Sequence, residues 1–205
     1  MKVAWLHSHF LQWSGGTKFV YEVARRMRRW VPVDIYVEQF AQSIREMFTA
    51  EALSVTRINT KSSPSAQYWF LFPYHLRQDV TAVRRLRNQY DVFITSMFPM
   101  HHVARAAGVP RHLAYVLEPF AFFHDPEMIG GFPLWKRLVL RYLTLAYAHL
   151  DVSGVKHATR VMTINEGTAH WVKEVYGVEP SRSLLGVDTE RFSPRAGDPA
   201  FQALR

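Results

Sequence analysis

The chain has no cysteine among its 205 residues. That absence removes disulfide scaffolds, thiolate metal sites and cysteine nucleophiles together. Acidic residues are scarce beside basic ones, 17 against 25, which leaves a formal charge of +8. An excess of that sign favours anionic partners such as nucleotide phosphates or phospholipid headgroups. Nucleic acid is not expected as a partner, because finger spacing, a helix-turn-helix pattern and paired stacking aromatics are all missing. The opening Lys2 and the early His7 and His9 leave no room for the apolar centre of a secretory signal. A cytoplasmic location, free or at the inner face of the membrane, is the default expectation.

What is present is a regular alternation of short apolar runs and amphipathic segments. Hydrophobic residues make up 48% of the chain, enough for a substantial core. Val3 to Leu6 reads as a buried parallel strand, broken by Ser14-Gly15-Gly16, after which residues 17–30 read as a helix. In that helix Phe19, Val20, Val23, Ala24 and Met27 recur at helical spacing, with arginines opposite. Further strands are expected at Val33–Val37, Val55–Ile58, Asp91–Thr95, His112–Leu117, Arg160–Ile164 and Ser183–Leu185. The intervening helices fall at 43–48, 76–89, 100–107, 133–151 and 166–176. Gly154 reads as a stop for the longest of them, and Asn165 and Gly177 as caps of the last. Such alternation predicts an α/β fold, a Rossmann-like three-layer sandwich around a mostly parallel sheet of about seven strands.

In such sheets ligands bind beyond the carboxyl ends of the strands. Those ends carry His7-Ser8-His9, Ser96-Met97, Glu118-Pro119 and Asn165-Glu166. Gly15, Gly16 and Thr17 stand just before a helix, where small residues and free amides admit a phosphate or carboxylate. The third glycine of a dinucleotide fingerprint and the lysine of a triphosphate loop are absent, which counts against a dehydrogenase or an ATPase. Glu118, held at the rim of the sheet, has the chemistry to bind a sugar hydroxyl or take its proton. His124 beside Asp125 offers a base with an orienting carboxylate, or an ordinary loop. The ten histidines form no compact ligand pattern, so no metal is expected.

The segment 134–150 has leucines, Trp135 and two tyrosines, and its charges are Lys136, Arg137 and Arg141. It is too short and too charged to span a bilayer. It is either a core helix or a helix lying on an anionic surface.

Taken in order, several segments resemble the N-terminal domain of family 4 glycosyltransferases of the GT-B fold. They are the opening strand, the Gly15-Gly16 turn leading into Phe19–Met27, Tyr90–Ile94, Val161–Glu166, Val175–Val178 and Gly186–Phe192. The resemblance implies the N-terminal half of a two-domain enzyme that takes a sugar from a nucleotide-diphosphate donor to a glycan or lipid-linked acceptor. It implies no permanently bound cofactor or metal, and a common retaining outcome that needs no carboxylate nucleophile. It places Gly15 and Gly16 toward the donor, Ser96 in the acceptor region and Asn165 near the site; Thr17 beside the glycines, His9 toward the acceptor, and Glu118 and His124 at the chemistry are further candidates from their own positions. In Tyr115-Val116-Leu117-Glu118-Pro119, Leu117 stands where the family often has histidine. Residues 1–192 are the expected domain and 193–205 the start of an interdomain linker to a second domain. Peripheral contact with a membrane is a further expectation. The chain by itself is expected to be inactive, and a non-catalytic sugar- or lipid-binding domain, or a subunit of a split transferase, is the alternative.

Overall fold

A computed structural model describes residues 1–58 and 65–186. Residues 59–64, the segment from Val187 to Phe192 and the expected linker at 193–205 lie outside the described residues.

Among the described residues seven strands form one sheet in the order β3-β2-β1-β4-β5-β6-β7, and every neighbouring pair is parallel. The strands are β1 Val3–Phe10, β2 Val33–Phe40, β3 Ser54–Arg57, β4 Val92–Thr95, β5 His112–Val116, β6 Arg160–Thr163 and β7 Ser181–Arg182. The helices are α1 Gly15–Met27, α2 Gln42–Ala50, α3 Ser65–Phe70, α4 Phe72–Leu86, α5 Met100–Ala107, α6 Ala121–His124, α7 Pro126–Gly130, α8 Leu134–Lys156 and α9 Glu166–Tyr176.

The sheet is covered on both faces, which explains why its central strand is apolar without alternation. Val3 and Trp5 of β1 face one side with Ile35, Val37 and Ile94, under Val20 and Ala24 of α1 and Ile44 and Phe48 of α2. Ala4 and Leu6 face the other side with Phe93, under Val83 of α4 and Met100, Val103 and Ala104 of α5. Farther along that second face, Ala114 and Val116 pack against Val155 of α8 and Val172 and Tyr176 of α9. A fourth, largely aromatic cluster of Phe72, Phe98, Phe123, Leu140 and Leu143 joins α4, α6 and α8.

Several boundaries differ from the sequence expectation for physical reasons. Strand β1 runs on to Phe10, because His7, Ser8 and Phe10 are buried rather than forming a loop. Gly15 and Gly16 are the first helical residues, with Ser14 as N-cap accepting from the Thr17 amide. The final strand lies at Ser181–Arg182, two residues before Ser183–Leu185, paired with Met162 and Thr163. Two short helices, α6 and α7, occupy a stretch for which no element was expected. Gly154 does not end α8, which continues to Lys156. A Cβ there would fall 2.5 Å from the His102 amide nitrogen and 2.6 Å from the His101 carbonyl carbon. Gly154 is therefore the place where α8 presses against the backbone of α5. Asn165 and Gly177 do cap α9 as expected, the first by accepting from Thr168 and the second in the left-handed region.

Candidate functional site

The strand order reverses between β1 and β4, both of which run parallel to the same end. Loops leaving a sheet on either side of such a point diverge to opposite faces and open a crevice between them. A cavity of about 580 Å³ lies there, lined from β1 by His7 and His9 and from α1 by Gly15 and Gly16. Ser96 to Phe98 follow β4, Leu117 to Phe120 follow β5, and Ile164 follows β6 on the same lining. Phe122 of α6, Met128 of α7, Asp151 of α8 and Tyr176 of α9 complete the far wall. That volume lies in the range of small-ligand sites, about 300–1,000 Å³.

His9, Gly15, Gly16, Ser96 and Glu118 thus share one rim. Thr17, Asn165 and His124 do not line the cavity. Thr17 is buried and its hydroxyl donates to the Gln12 carbonyl at 2.9 Å, so it anchors the turn before α1. The side-chain oxygen of Asn165 is engaged as a helix cap at 2.8 Å from the Thr168 amide. His124 is paired not with Asp125 but with Asp151, at 3.0 Å. Asp125 instead caps α7 through the amides of Glu127 and Met128. Successive side chains at a helix end diverge, whereas α8 brings Asp151 across from 27 residues away.

The donor character of the α1 end comes from its geometry. The first helical hydrogen bond runs from the Lys18 amide to the Ser14 carbonyl. The amides of Gly15 and Gly16 precede it and have no internal acceptor in an α-helix. With the positive end of the helix dipole behind them, they form a point of anion affinity on the cavity wall. Nothing lies within 4 Å of a Cβ built on Gly15, and on Gly16 it would meet only Leu117 Cδ1 at 3.6 Å and Ser14 Oγ at 4.0 Å. Packing within the domain therefore gives no reason for glycine at position 15.

Ser96 has its polar atom already in use. Trp5 Nε1 donates to Ser96 Oγ at 2.9 Å, and His7 Nδ1 lies 2.8 Å from the same oxygen. Burial pushes the His7 imidazole down to about 3. It is neutral, with one ring nitrogen protonated, and its Nδ1 is held in hydrogen-bond reach of the Ser96 hydroxyl. A second buried imidazole on the lining, His101, is pushed down to about 4 by burial. Its Nδ1 lies 2.7 Å from Thr95 Oγ1, which lies at the same distance from His112 Nε2. Asp151 accepts from Tyr176 at 2.8 Å on the same oxygen that meets His124, while its Oδ1 has no partner among the described residues. Among the described residues, no three histidine, aspartate or glutamate side chains form a group that could hold a metal.

His101 and Asp151 belong to the lining and were not expected there, whereas His7 stands at a strand end already expected to face a ligand. Strand alternation alone places His7 opposite Leu6 and so carries a trace of its position. Nothing local to Asp151 does.

No protein-family model matches the chain, and no curated protein matches it. Solved structures do. Anabaena HepE, crystallised with UDP and glucose, superposes with a TM-score of 0.63 at 11% identity, over 93% of this chain and 46% of its own. A glycosyltransferase from Rickettsia africae gives 0.57 at 13% identity, over 99% of this chain and 48% of its own. UGT2 of Phytolacca americana, complexed with UDP-2-fluoro-glucose and pterostilbene, gives 0.56 at 12% identity, over 91% and 54%. The shared fold is that of the GT-B glycosyltransferases. At these identities the likeness is one of fold, and the chain spans about half the length of the neighbours it matches.

Proposed function

We propose that this chain is the acceptor-side domain of a family 4-like GT-B glycosyltransferase using a nucleotide-diphosphate sugar. The observation that carries the reading is the cavity at the strand reversal, lined both by Gly15 and Gly16 at the start of α1 and by Glu118 after β5. In the proposed reaction an acceptor hydroxyl replaces the nucleoside diphosphate at the anomeric carbon. The hydroxyl proton passes to a base, and the diphosphate leaves with the bonding electron pair. Gly15 and Gly16 stabilise the departing phosphate through the α1 dipole, a role that needs no metal. In this reading Glu118, which is exposed and lines the cavity, takes the proton. His9 and His7 supply the acceptor contacts, with Ser96 fixing the His7 ring. His124, first read as a base, becomes a brace for Asp151. A second domain, carrying most of the donor site, closes the other side of the cleft. The chain alone does not turn over.

The reading is tested at Gly15. Replacing a glycine in a helix by alanine stabilises by up to about 1 kcal/mol when no clash results. Gly15→Ala is expected to keep or raise the melting temperature and to weaken saturation-transfer NMR signals from UDP-sugars. Unchanged signals in the variant, or none in the native chain for any UDP-sugar tried, would count against the phosphate-facing role. Sustained transfer by the 205-residue chain would overturn the two-domain part of the proposal.

A second reading, a non-catalytic binding subunit, is favoured by Leu117. It lines the cavity with a side chain that can neither accept a proton nor hydrogen-bond a sugar. Glu118→Gln separates the two readings in any longer chain or complex that transfers sugar. A binding subunit tolerates the change, and a catalytic one loses turnover with little change in KM.

A further inference from the structure

The most anomalous surface of the molecule is the first half of α8. Leu134, Trp135, Leu138, Tyr142 and Leu145 are each at least 60% exposed within twelve residues of one helix, with Val139 at 50%. At 3.6 residues per turn, Leu134, Leu138 and Leu145 fall on one line along the helix. Trp135 and Tyr142 flank that line on one shoulder, and Arg137 and Arg141 on the other. Lys136 adds a cation 3.6 Å from the Phe132 ring centroid. No aspartate or glutamate occurs from Met128 to Leu150. Scattered exposed apolar residues are ordinary, but a contiguous row of this kind marks a surface that something covers.

We infer that this face docks on an anionic lipid bilayer. Leucines at the centre, tryptophan and tyrosine beside them and arginines at the edge match the layers of a membrane interface. Charge complementarity separates this occupant from a second copy of the chain. A two-fold contact through the first half of α8 sets Arg137 and Arg141 near their own copies with no carboxylate on that half to neutralise them. Phospholipid headgroups supply the missing negative charge.

The position of the face gives it a consequence, which rests on the transferase reading above. α8 packs on α6 and α7, and Phe122 and Met128 of those helices line the cavity. With α8 lying on lipid, that wall is the one next to the bilayer. An acceptor sugar on a lipid anchor reaches the cavity past Phe120, Phe122 and Met128 without leaving the membrane. The acceptor class is then a lipid-linked sugar, not a free glycan.

The test is flotation of the 205-residue chain with vesicles of phosphatidylcholine alone, or with an equal share of phosphatidylglycerol. Binding to the anionic vesicles is expected to exceed binding to the neutral ones by about tenfold or more at low salt. Leu138→Asp with Leu145→Asp, and separately Arg137→Glu with Arg141→Glu, are expected to remove at least that tenfold. Trp30→Ser, at another exposed apolar residue (78% exposed), is expected to change nothing. Melting curves check that each variant is folded. The proposal fails if the native chain ignores anionic vesicles, or if the α8 variants bind as well as it does. It also fails if sedimentation shows a dimer that those variants abolish. None of these outcomes touches the UDP-sugar signals at Gly15, so the two readings stand or fall separately.

Discussion

The two ends of α8 obey opposite rules. Its last turns are locked: Asp151 is 1% exposed, Val155 is fully buried, and Gly154 lets the helix backbone meet that of α5. Its first turns carry side chains at least as apolar and leave most of them in solvent. One helix therefore serves as a structural beam at one end and an open face at the other. Hydrophobicity alone does not tell these roles apart; what differs is whether a neighbouring backbone approaches. The locked end also carries the cavity wall, because Asp151 gathers α6 and α9 onto it through His124 and Tyr176. Rigidity is concentrated where the cleft is built, and uncovered apolar surface is left where nothing in the domain needs it.

The sharpest way to break this contrast is Gly154→Ala. A methyl group 2.5 Å from a backbone nitrogen cannot be relieved by turning a side chain, so α8 and α5 must separate. Overpacking typically costs 1–3 kcal/mol and more against backbone, offset by up to about 1 kcal/mol of helix propensity. The net expectation is a loss of about 1–3 kcal/mol, or a fall in Tm of roughly 2–12 °C. Calorimetry on the variant checks it. A change of less than about 1 kcal/mol would mean that the two helices are not in close contact.

Acid is expected to act next, through buried imidazoles on β1, α5 and β5. His7, His101 and His112 are held at about 3, 4 and 3 by burial, each below its unfolded value of about 6.5. The unfolded chain therefore binds more protons as pH falls. The stability these groups contribute is complete above pH 6.5 and is lost as pH drops toward their folded values. Each contributes a slope of about 1.4 kcal/mol per pH unit in that window. Urea unfolding followed by circular dichroism between pH 7 and 4 is expected to show a steep fall, and His112→Gln to flatten it by about one third of that slope. A profile flat down to pH 5 would show that these imidazoles are accessible in the folded chain.

Tyr176→Phe probes the clamp itself. It removes one donor to a buried carboxylate, whose Oδ1 already has no partner among the described residues. The expected loss is about 1–3 kcal/mol, read from denaturant midpoints. A neutral result would place water at Asp151 in the folded protein.

Much of this architecture is legible in the chain because its signals are local. The helix Met100–Ala107 and the caps Asn165 and Gly177 rest on neighbours within a turn or two, and all three stand as read. Parallel strands read as apolar runs, and the rule for ligand position in wound sheets brings His9, Gly15, Gly16, Ser96 and Glu118 together without any coordinates. Gly154 was read as a stop because a glycine near a helix end usually is one; its real partner is 52 residues away at His102. The same holds for His124, whose neighbour Asp125 is close in sequence while Asp151 is close in space. Thr17 and Asn165 carry the right chemistry, but their polar atoms are spent on the turn and the helix they begin.

The smallest expected effect sharpens the other side of the comparison. Leu138→Ser with Leu145→Ser changes two residues at the open end that are 60% and 77% exposed. Exposed side chains lose little on truncation, so the double variant is expected to melt within about 0.5 kcal/mol of the native chain. Serine lowers helix propensity by a few tenths of a kcal/mol at each position, which is the main term left. A result near zero means that six large apolar side chains persist on α8 without contributing to the fold, and so answer to something outside it. A loss of 2 kcal/mol or more, on the scale of a buried leucine, would mean instead that the open face packs against part of this same chain. Differential scanning fluorimetry decides between the two, and the decision bears directly on whether lipid is the right occupant.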